Sequence, residues 1–321
     1  MNPLHIGLLG AAGIAPRAMI APVRRRDDVE IVAVASRHDA SGFAAHHGIA
    51  AAYGRYEDLL DDPSVDLVYI ALPPSEHAHW TIAALEAGKH VLCEKPMTMD
   101  AVEAAEVLAT AGRTGRRAFE AFHDYYHPLQ RWLREFVASR ALGSPISVTA
   151  TFNGANPFDP TSIRHAPQLG GGALMDLGCY PVHWLRSLFG EPTVTAAAAE
   201  RNPLGADLSI EAELGFAGGV RGRLGASMEP GVALESALTL VAELGTLHVD
   251  NLVFPAHGHS IRIESGGVPR VSTVAGSDSY DHQLDAVVEG LRRGEALATE
   301  GLDYVSNMVV IDAIYAAAGL R

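Results

Sequence analysis

The stretch LHIGLLGAAGIAP, residues 4 to 16, decides how the first third of the chain is read. A short apolar run, Leu4 to Leu9, ends in a glycine-rich turn that opens into a helical pattern, giving the order strand, loop, helix. Counting from Gly10, Ala12 and Ala15 take the second and third positions of a G-x-G-x-x-G spacing. Alanine adds one methyl group, so the backbone of Gly10, Ala11, Ala12, Gly13 and Ile14 can still approach a pyrophosphate ahead of the helix N-terminus. Taken alone, the loop is also readable as a tight turn with no ligand, because glycine-rich turns are common in α/β units.

Outward from the loop the same order recurs. Val29 to Ala35, Leu67 to Ala71, His90 to Cys93 and Arg117 to Ala121 read as strands, and segments such as HAHWTIAALEAG between them carry apolar residues at helical spacing. This predicts a doubly wound parallel sheet with crossover helices, Gly88 closing one helix and Asp100 capping the next. After Ala121 the pattern changes. A helix from Pro128 to Arg140 leads into strand-like segments at Ile146 to Phe152, Val194 to Glu200, Leu208 to Phe216, Val220 to Ser227, Leu238 to Val241 and Ser260 to Glu264. With turns at Gly218-Gly219 and Gly266-Gly267, they predict an open, mostly antiparallel sheet with one face on helices. Helical patterns at Tyr280 to Arg293 and Asp303 to Ala318 close the chain. The expected domains are residues 1–121 and 122–321, the last helix being able to pack back on the first domain.

Composition sets the outer limits. With 48% apolar residues in 321, the chain can bury a sizeable core. A net charge of -14 argues against nucleic acid or anionic membrane as partner and for a small molecule. Two cysteines without CxxC spacing suggest neither a disulfide framework nor a structural zinc site, and a reducing cytoplasm fits. The first apolar run has no basic residue before it, against a signal peptide, and no run approaches the ~20 apolar residues that cross a bilayer.

The second strand ends in VAVASRHD, residues 32 to 39. An acid at such a tip takes the ribose 2′-OH of NAD, whereas an arginine accommodates the 2′-phosphate of NADP. Ser36 and Arg37 occupy the tip and Asp39 suits a helix cap, so NADP is favoured and NAD remains open. The third strand ends in ALPPSEHAHW, residues 71 to 80, where Leu72, Pro73 and His77 lie at the carboxyl edge that binds ligands in such sheets. For His79 a plain surface position is the preferred reading.

The fourth strand ends in HVLCEKP, residues 90 to 96. Lys95 can face a nicotinamide and hydrogen-bond a substrate oxygen, with Glu94 beside the cofactor and Pro96 fixing the turn, or it can be a solvated lysine; the tripeptide supports both. The stretch LGGGALMDLGCYPVHWLRSLFG, residues 169 to 190, shifts the balance. Asp176, Tyr180 and His183 fall at i, i+4 and i+7 of a helical pattern, which Pro181 is expected to kink. An acid, a phenol and a lysine suit proton transfer at a carbon-bound oxygen. A metal held by Asp176 and His183 would lack a recognisable third ligand, so no metal is expected.

Together GLLGAAGIAP, AGKHVLCEKP, EAFHDYYHP and GGGALMDLGCYP resemble the glucose-fructose oxidoreductase / inositol dehydrogenase / rhizopine catabolism family over essentially the whole chain, nearest its dihydrodiol and xylose dehydrogenase branch. The resemblance implies a Rossmann domain, then an α/β domain whose open sheet often makes dimer or tetramer contacts. It also implies NAD(P)-dependent hydride transfer at a CH–OH carbon of a sugar, polyol or cyclic diol. By position it makes Lys95 the catalytic lysine, Asp176 the substrate-orienting acid and Tyr180 the proton donor or acceptor. Phe152, Arg164 and His165 are placed beside the substrate by position alone. Asp124-Tyr125-Tyr126 departs from the family's usual tyrosine-arginine element. The rival readings are a dinucleotide-sensing regulator without catalysis and a redox-neutral NAD-dependent glycosidase.

Overall fold

A computed structural model describes residues 3–321. The chain forms two compact units, one running to Phe122 and including Tyr280–Val305, the other made of His123–Ser279 and Ser306–Arg321.

In the first unit, β1 (Leu4–Leu9) is followed by the helical turn Pro16–Ile20 and α1 (Ala21–Val23). β2 (Val29–Ala35), α2 (Ala40–His47), β3 (Ala51–Tyr53), α3 (Tyr56–Leu60), β4 (Leu67–Ile70), α4 (Pro74–Glu86), β5 (His90–Cys93), α5 (Ala101–Thr114) and β6 (Ala118–Glu120) complete the run. The sheet order is β3-β2-β1-β4-β5-β6, and each pairing is parallel. β4 and the core of β1 are buried on both faces, which is why they read as unbroken apolar runs rather than alternating ones. The order reverses between β1 and β4, so the carboxyl ends of these strands flank the crevice where such sheets take ligands. β3 has no counterpart among the expected strands. Asp100 caps α5, accepting from the amides of Val102 and Glu103, and Gly88 has φ +77 just past α4.

The second unit holds α6 (Pro128–Ser139), β7 (Pro145–Asn153), α7 (Cys179–Phe189), β8 (Thr193–Arg201), β9 (Asp207–Gly215), β10 (Arg221–Ser227), β11 (Glu235–Ala242), β12 (Gly245–Asp250), β13 (Ser260–Ser265) and β14 (Val268–Ser272). α8 (Ser279–Arg293) and α9 (Leu302–Ala317) end the chain. The eight strands run in the order β14-β13-β12-β11-β7-β10-β9-β8. All neighbours are antiparallel except β10 and β7. Alternation is clear on β7, where Val148, Ala150 and Phe152 point inward, and burying Val148 and Phe152 contributes roughly 1.5–3 kcal/mol each. α7 packs on β7 and β10. α6 stops at Ser139 because Arg140 turns left-handed at φ 52, one residue short of the expected end.

The segment around Pro181 differs from expectation. Leu174–Gly178 forms a wide helical turn directly ahead of α7. Pro181, which has no N–H to continue a regular ladder, therefore lies in the first turn of α7, and the irregularity falls before it. Among the described residues no helix is long and apolar enough to cross a membrane.

Candidate active site

Within the first unit, parallel pairing brings the carboxyl ends of β1, β2, β4 and β5 to one edge. Gly10 leaves β1 with φ +104, and a Cβ there would stand 2.7 Å from the carbonyl oxygen of Ala71. Only glycine fits this close approach of two backbones. Beyond it Ala11 and Ala12 are half-buried and Gly13 and Ile14 exposed, with open space around Gly13. Such a bare loop ahead of a helix fits a pyrophosphate, the donors being backbone amides rather than side chains.

At the tip of β2, Ser36 is buried and Arg37 exposed, its guanidinium 5.5 Å from the Tyr56 ring centre. Asp39 caps α2 by accepting from the amide of Gly42 at 2.9 Å. The acid nearest the ribose end is thus engaged in a helix cap. Leu72 and Pro73, both half-buried, lead into α4 with Pro73 extended and Pro74 as its first residue.

His77 is fully buried, whereas His79 is exposed. Nδ1 of His77 lies 2.8 Å from the carbonyl oxygen of Pro96, and Nε2 lies 2.8 Å from that of Leu72. Burial lowers its pKa, the two carbonyls oppose that, and the charge of Lys95 adds to it. His77 therefore joins the two loops that carry Leu72 and Lys95, and its ring edge is closed off by protein. Glu94 and Lys95 are half-buried at the end of β5, and the Lys95–Pro96 peptide is cis. The Tyr69 hydroxyl donates to Glu94 at 2.6 Å, and burial, then Glu94, raise the phenol's pKa well above its ordinary value.

In the second unit the wide turn carries Asp176 and α7 carries Tyr180. Asp176 is partly exposed and accepts from Nε of Arg164 at 2.8 Å. Tyr180 is 4% exposed, packed edge-on against Phe152 with ring centres 5.5 Å apart. Its hydroxyl lies 3.2 Å from Nε2 of His123, and Nδ1 of His123 lies 2.8 Å from the Ser279 hydroxyl. The fold thus brings Phe152 to Tyr180 and Arg164 to Asp176. His165 is buried apart from both pairs, against Phe158 and under Asn202, whose side chain donates to its carbonyl.

Sequence reasoning did not single out His123 or Ser279. The signal for His123 was its place in EAFHDYYHP, and nothing local marks Ser279. The next residue, Asp124, is fully buried, and its Oδ2 accepts from Trp184 Nε1 at 2.6 Å and Gln130 Nε2 at 3.0 Å. Burial raises its pKa, while His183 and its two donors pull the other way. Tyr125 lies under the Arg134 guanidinium at 3.8 Å and beside His183 at 5.3 Å.

The chain is 36% identical over 319 residues to a D-xylose 1-dehydrogenase (NADP(+)) of Haloferax volcanii, spanning 98% of this chain and 97% of that protein. It is 36% identical over 299 residues to a dTDP-3,4-didehydro-2,6-dideoxy-alpha-D-glucose 3-reductase of Saccharopolyspora spinosa, spanning 91% and 89% of the two chains. A 3-ketoreductase from Actinomadura kijaniata, solved with NADP and TDP-benzene, superposes with a TM-score of 0.91 at 27% identity over 98% of each chain. Residues 4–122 match the oxidoreductase family with an NAD-binding Rossmann fold, and residues 130–248 match the GFO/IDH/MocA C-terminal domain. The chain belongs to the GFO/IDH/MocA oxidoreductase family and is an enzyme of hydride transfer.

Proposed function

We propose that this enzyme is NADP-preferring and moves hydride between the nicotinamide and a secondary alcohol or ketone carbon of a sugar, polyol or cyclic diol. The observation that carries the reading is the open Gly10–Ile14 loop at the sheet edge that also bears Lys95. The cofactor preference rests on Asp39 serving α2 while Arg37 stays exposed.

When bound, the dinucleotide supplies an acceptor or donor of hydride at its nicotinamide ring. Gly10, Ala11, Ala12, Gly13 and Ile14 bind its phosphates, Ser36 and Arg37 its 2′-phosphate, and Leu72, Pro73 and Glu94 border it. His77 acts on it through the loops it joins. Lys95 hydrogen-bonds the substrate oxygen and favours its ionised form by charge. Tyr180 Oη takes the hydroxyl proton on oxidation and returns it on reduction. Asp176, oriented by Arg164, holds a neighbouring substrate hydroxyl, and Phe152 walls the phenol from water. His165 completes the substrate side from the adjoining loop.

In this reading residues 1–121 bind dinucleotide and residues 122–321 bind substrate and assemble a homodimer or homotetramer through the outer sheet face. That face holds a groove lined by Thr149 and Thr151 and by the ion pair of Glu211 with Arg223, a polar surface suited to pairing with a second copy. Two buried thiols, Cys93 and Cys179, suit a reducing cytoplasm.

The test is a fluorescence titration of the purified protein with NADPH and with NADH. Micromolar binding favouring NADPH is expected; binding of neither would overturn the cofactor assignment.

A further inference from the structure

Tyr180 is asked to move a proton, yet it is 4% exposed and has little direct contact with water. What stands behind its hydroxyl is a second proton carrier. His123 is 1% exposed, its Nε2 lies 3.2 Å from Tyr180 Oη, and its Nδ1 lies 2.8 Å from Ser279 Oγ, itself 1% exposed. The imidazole stacks on Phe254 with ring centres 5.7 Å apart and planes 21° apart. A histidine held at both nitrogens and covered by an aromatic face is set in one orientation. In the tautomer with its proton on Nδ1, donating to Ser279, Nε2 presents its lone pair to the phenol.

We propose that His123 is a proton-relay and positioning residue behind Tyr180, with Ser279 fixing its tautomer. The proposal rests on the role given to Tyr180 above. In alcohol oxidation the C–H bond breaks with its electron pair leaving as hydride to the dinucleotide, and the C=O bond forms. The hydroxyl proton passes to Tyr180 Oη as the phenol's own proton passes to His123 Nε2, giving an imidazolium. After product leaves, that proton returns through the Tyr180 hydroxyl to water; ketone reduction runs the same steps backward. Titratable groups near the imidazole among the described residues include Tyr180 on α7, the adjacent Asp124, whose carboxylate faces Trp184 and Gln130, and His257, stacked on Phe254. The Asp176 charge is engaged with Arg164.

The first readout needs no cofactor. Nitrogen chemical shifts of histidine-labelled protein, with the His123 signal identified by its loss in His123→Asn, should show Nδ1 protonated and Nε2 bare at neutral pH. A proton on Nε2 would overturn the relay, since that nitrogen could not accept from Tyr180. The second readout is kinetic. His123→Asn should lower kcat by about tenfold or more, with KM little changed and the acid limb of the pH profile displaced. Ser279→Ala should give a smaller change in the same direction. If Tyr180→Phe abolishes turnover while His123→Asn keeps the wild-type kcat and pH profile, the relay is wrong and the role of Tyr180 stands. If Tyr180→Phe turns over like wild type, the role of Tyr180 itself fails.

Discussion

His77 stands between two carbonyl oxygens, 2.8 Å from that of Leu72 and 2.8 Å from that of Pro96, so one buried ring ties the loop after β4 to the loop after β5. The residue immediately before Pro96 is Lys95. Truncation to alanine would take away the ring's N–H donor from the carbonyl it serves and free the Lys95 loop. That loss is worth about 1–3 kcal/mol. His77→Ala should therefore lower the melting temperature and weaken dinucleotide binding, read by calorimetry and fluorescence. A variant with wild-type values in both would show that the ring is only a filler.

Gly10 offers a sharper steric test. At φ +104 any side chain is strained, and the Cβ of Gly10→Ala would sit 2.7 Å from the carbonyl oxygen of Ala71. The left-handed conformation alone costs a non-glycine residue roughly 1–2 kcal/mol. The expected outcome is dinucleotide affinity reduced about tenfold or more, while Gly13→Ala, with open space around it, is tolerated far better. Equal effects at the two positions would contradict the close approach.

Arg37 should separate the two cofactors. Its guanidinium is exposed above Tyr56, and no nearby acid at the β2 tip is left to bind a ribose hydroxyl once Asp39 caps α2. Arg37→Ala is expected to raise the KM for NADP about tenfold, the loss of one charge-assisted phosphate contact, and to leave that for NAD nearly unchanged. Equal effects on both would make Arg37 an ordinary surface residue.

Asp124 predicts a pH dependence of stability. Burial holds its folded-state pKa above the unfolded carboxylate value, so its contribution is complete below that value and is lost as pH rises through the folded one. Asp124→Asn keeps an oxygen for Trp184 and Gln130 and removes the titration. Thermal melts should show the variant gaining on wild type as pH rises above the ordinary carboxylate range, by roughly 2–4 °C for each 1 kcal/mol relieved. A variant that loses ground on wild type as pH rises would contradict a raised pKa.

How far the sequence could be read depended on whether the signal was local. Long β-branched runs with buried faces, such as Val29–Ala35, announced the parallel sheet. β3 did not, because three residues, AAY, carry neither alternation nor a β-branched side chain. β12 and β14 were missed as well: β12 alternates only through Leu247 and Val249, and β14 is five residues long with a proline inside it. The glycine loop, Lys95, Asp176 and Tyr180 stand in recognisable motifs. The His123 contact of Tyr180 does not, since the hydrogen bond between His123 and Ser279 joins positions 156 residues apart. His77 was legible as a residue of the ligand edge, but the closure of both its ring nitrogens by the carbonyls of two loops was not.

The central claim is tested most directly by following nicotinamide absorbance while the enzyme and its Lys95→Ala and Tyr180→Phe variants are given NADP and a panel of aldoses, polyols and cyclic diols. The account predicts net NADPH formation by wild type with at least one of them, and kcat lower by about a hundredfold or more in both variants, which still bind dinucleotide. Wild-type-like turnover by either variant, or substrate turnover with no net NADPH, would contradict it.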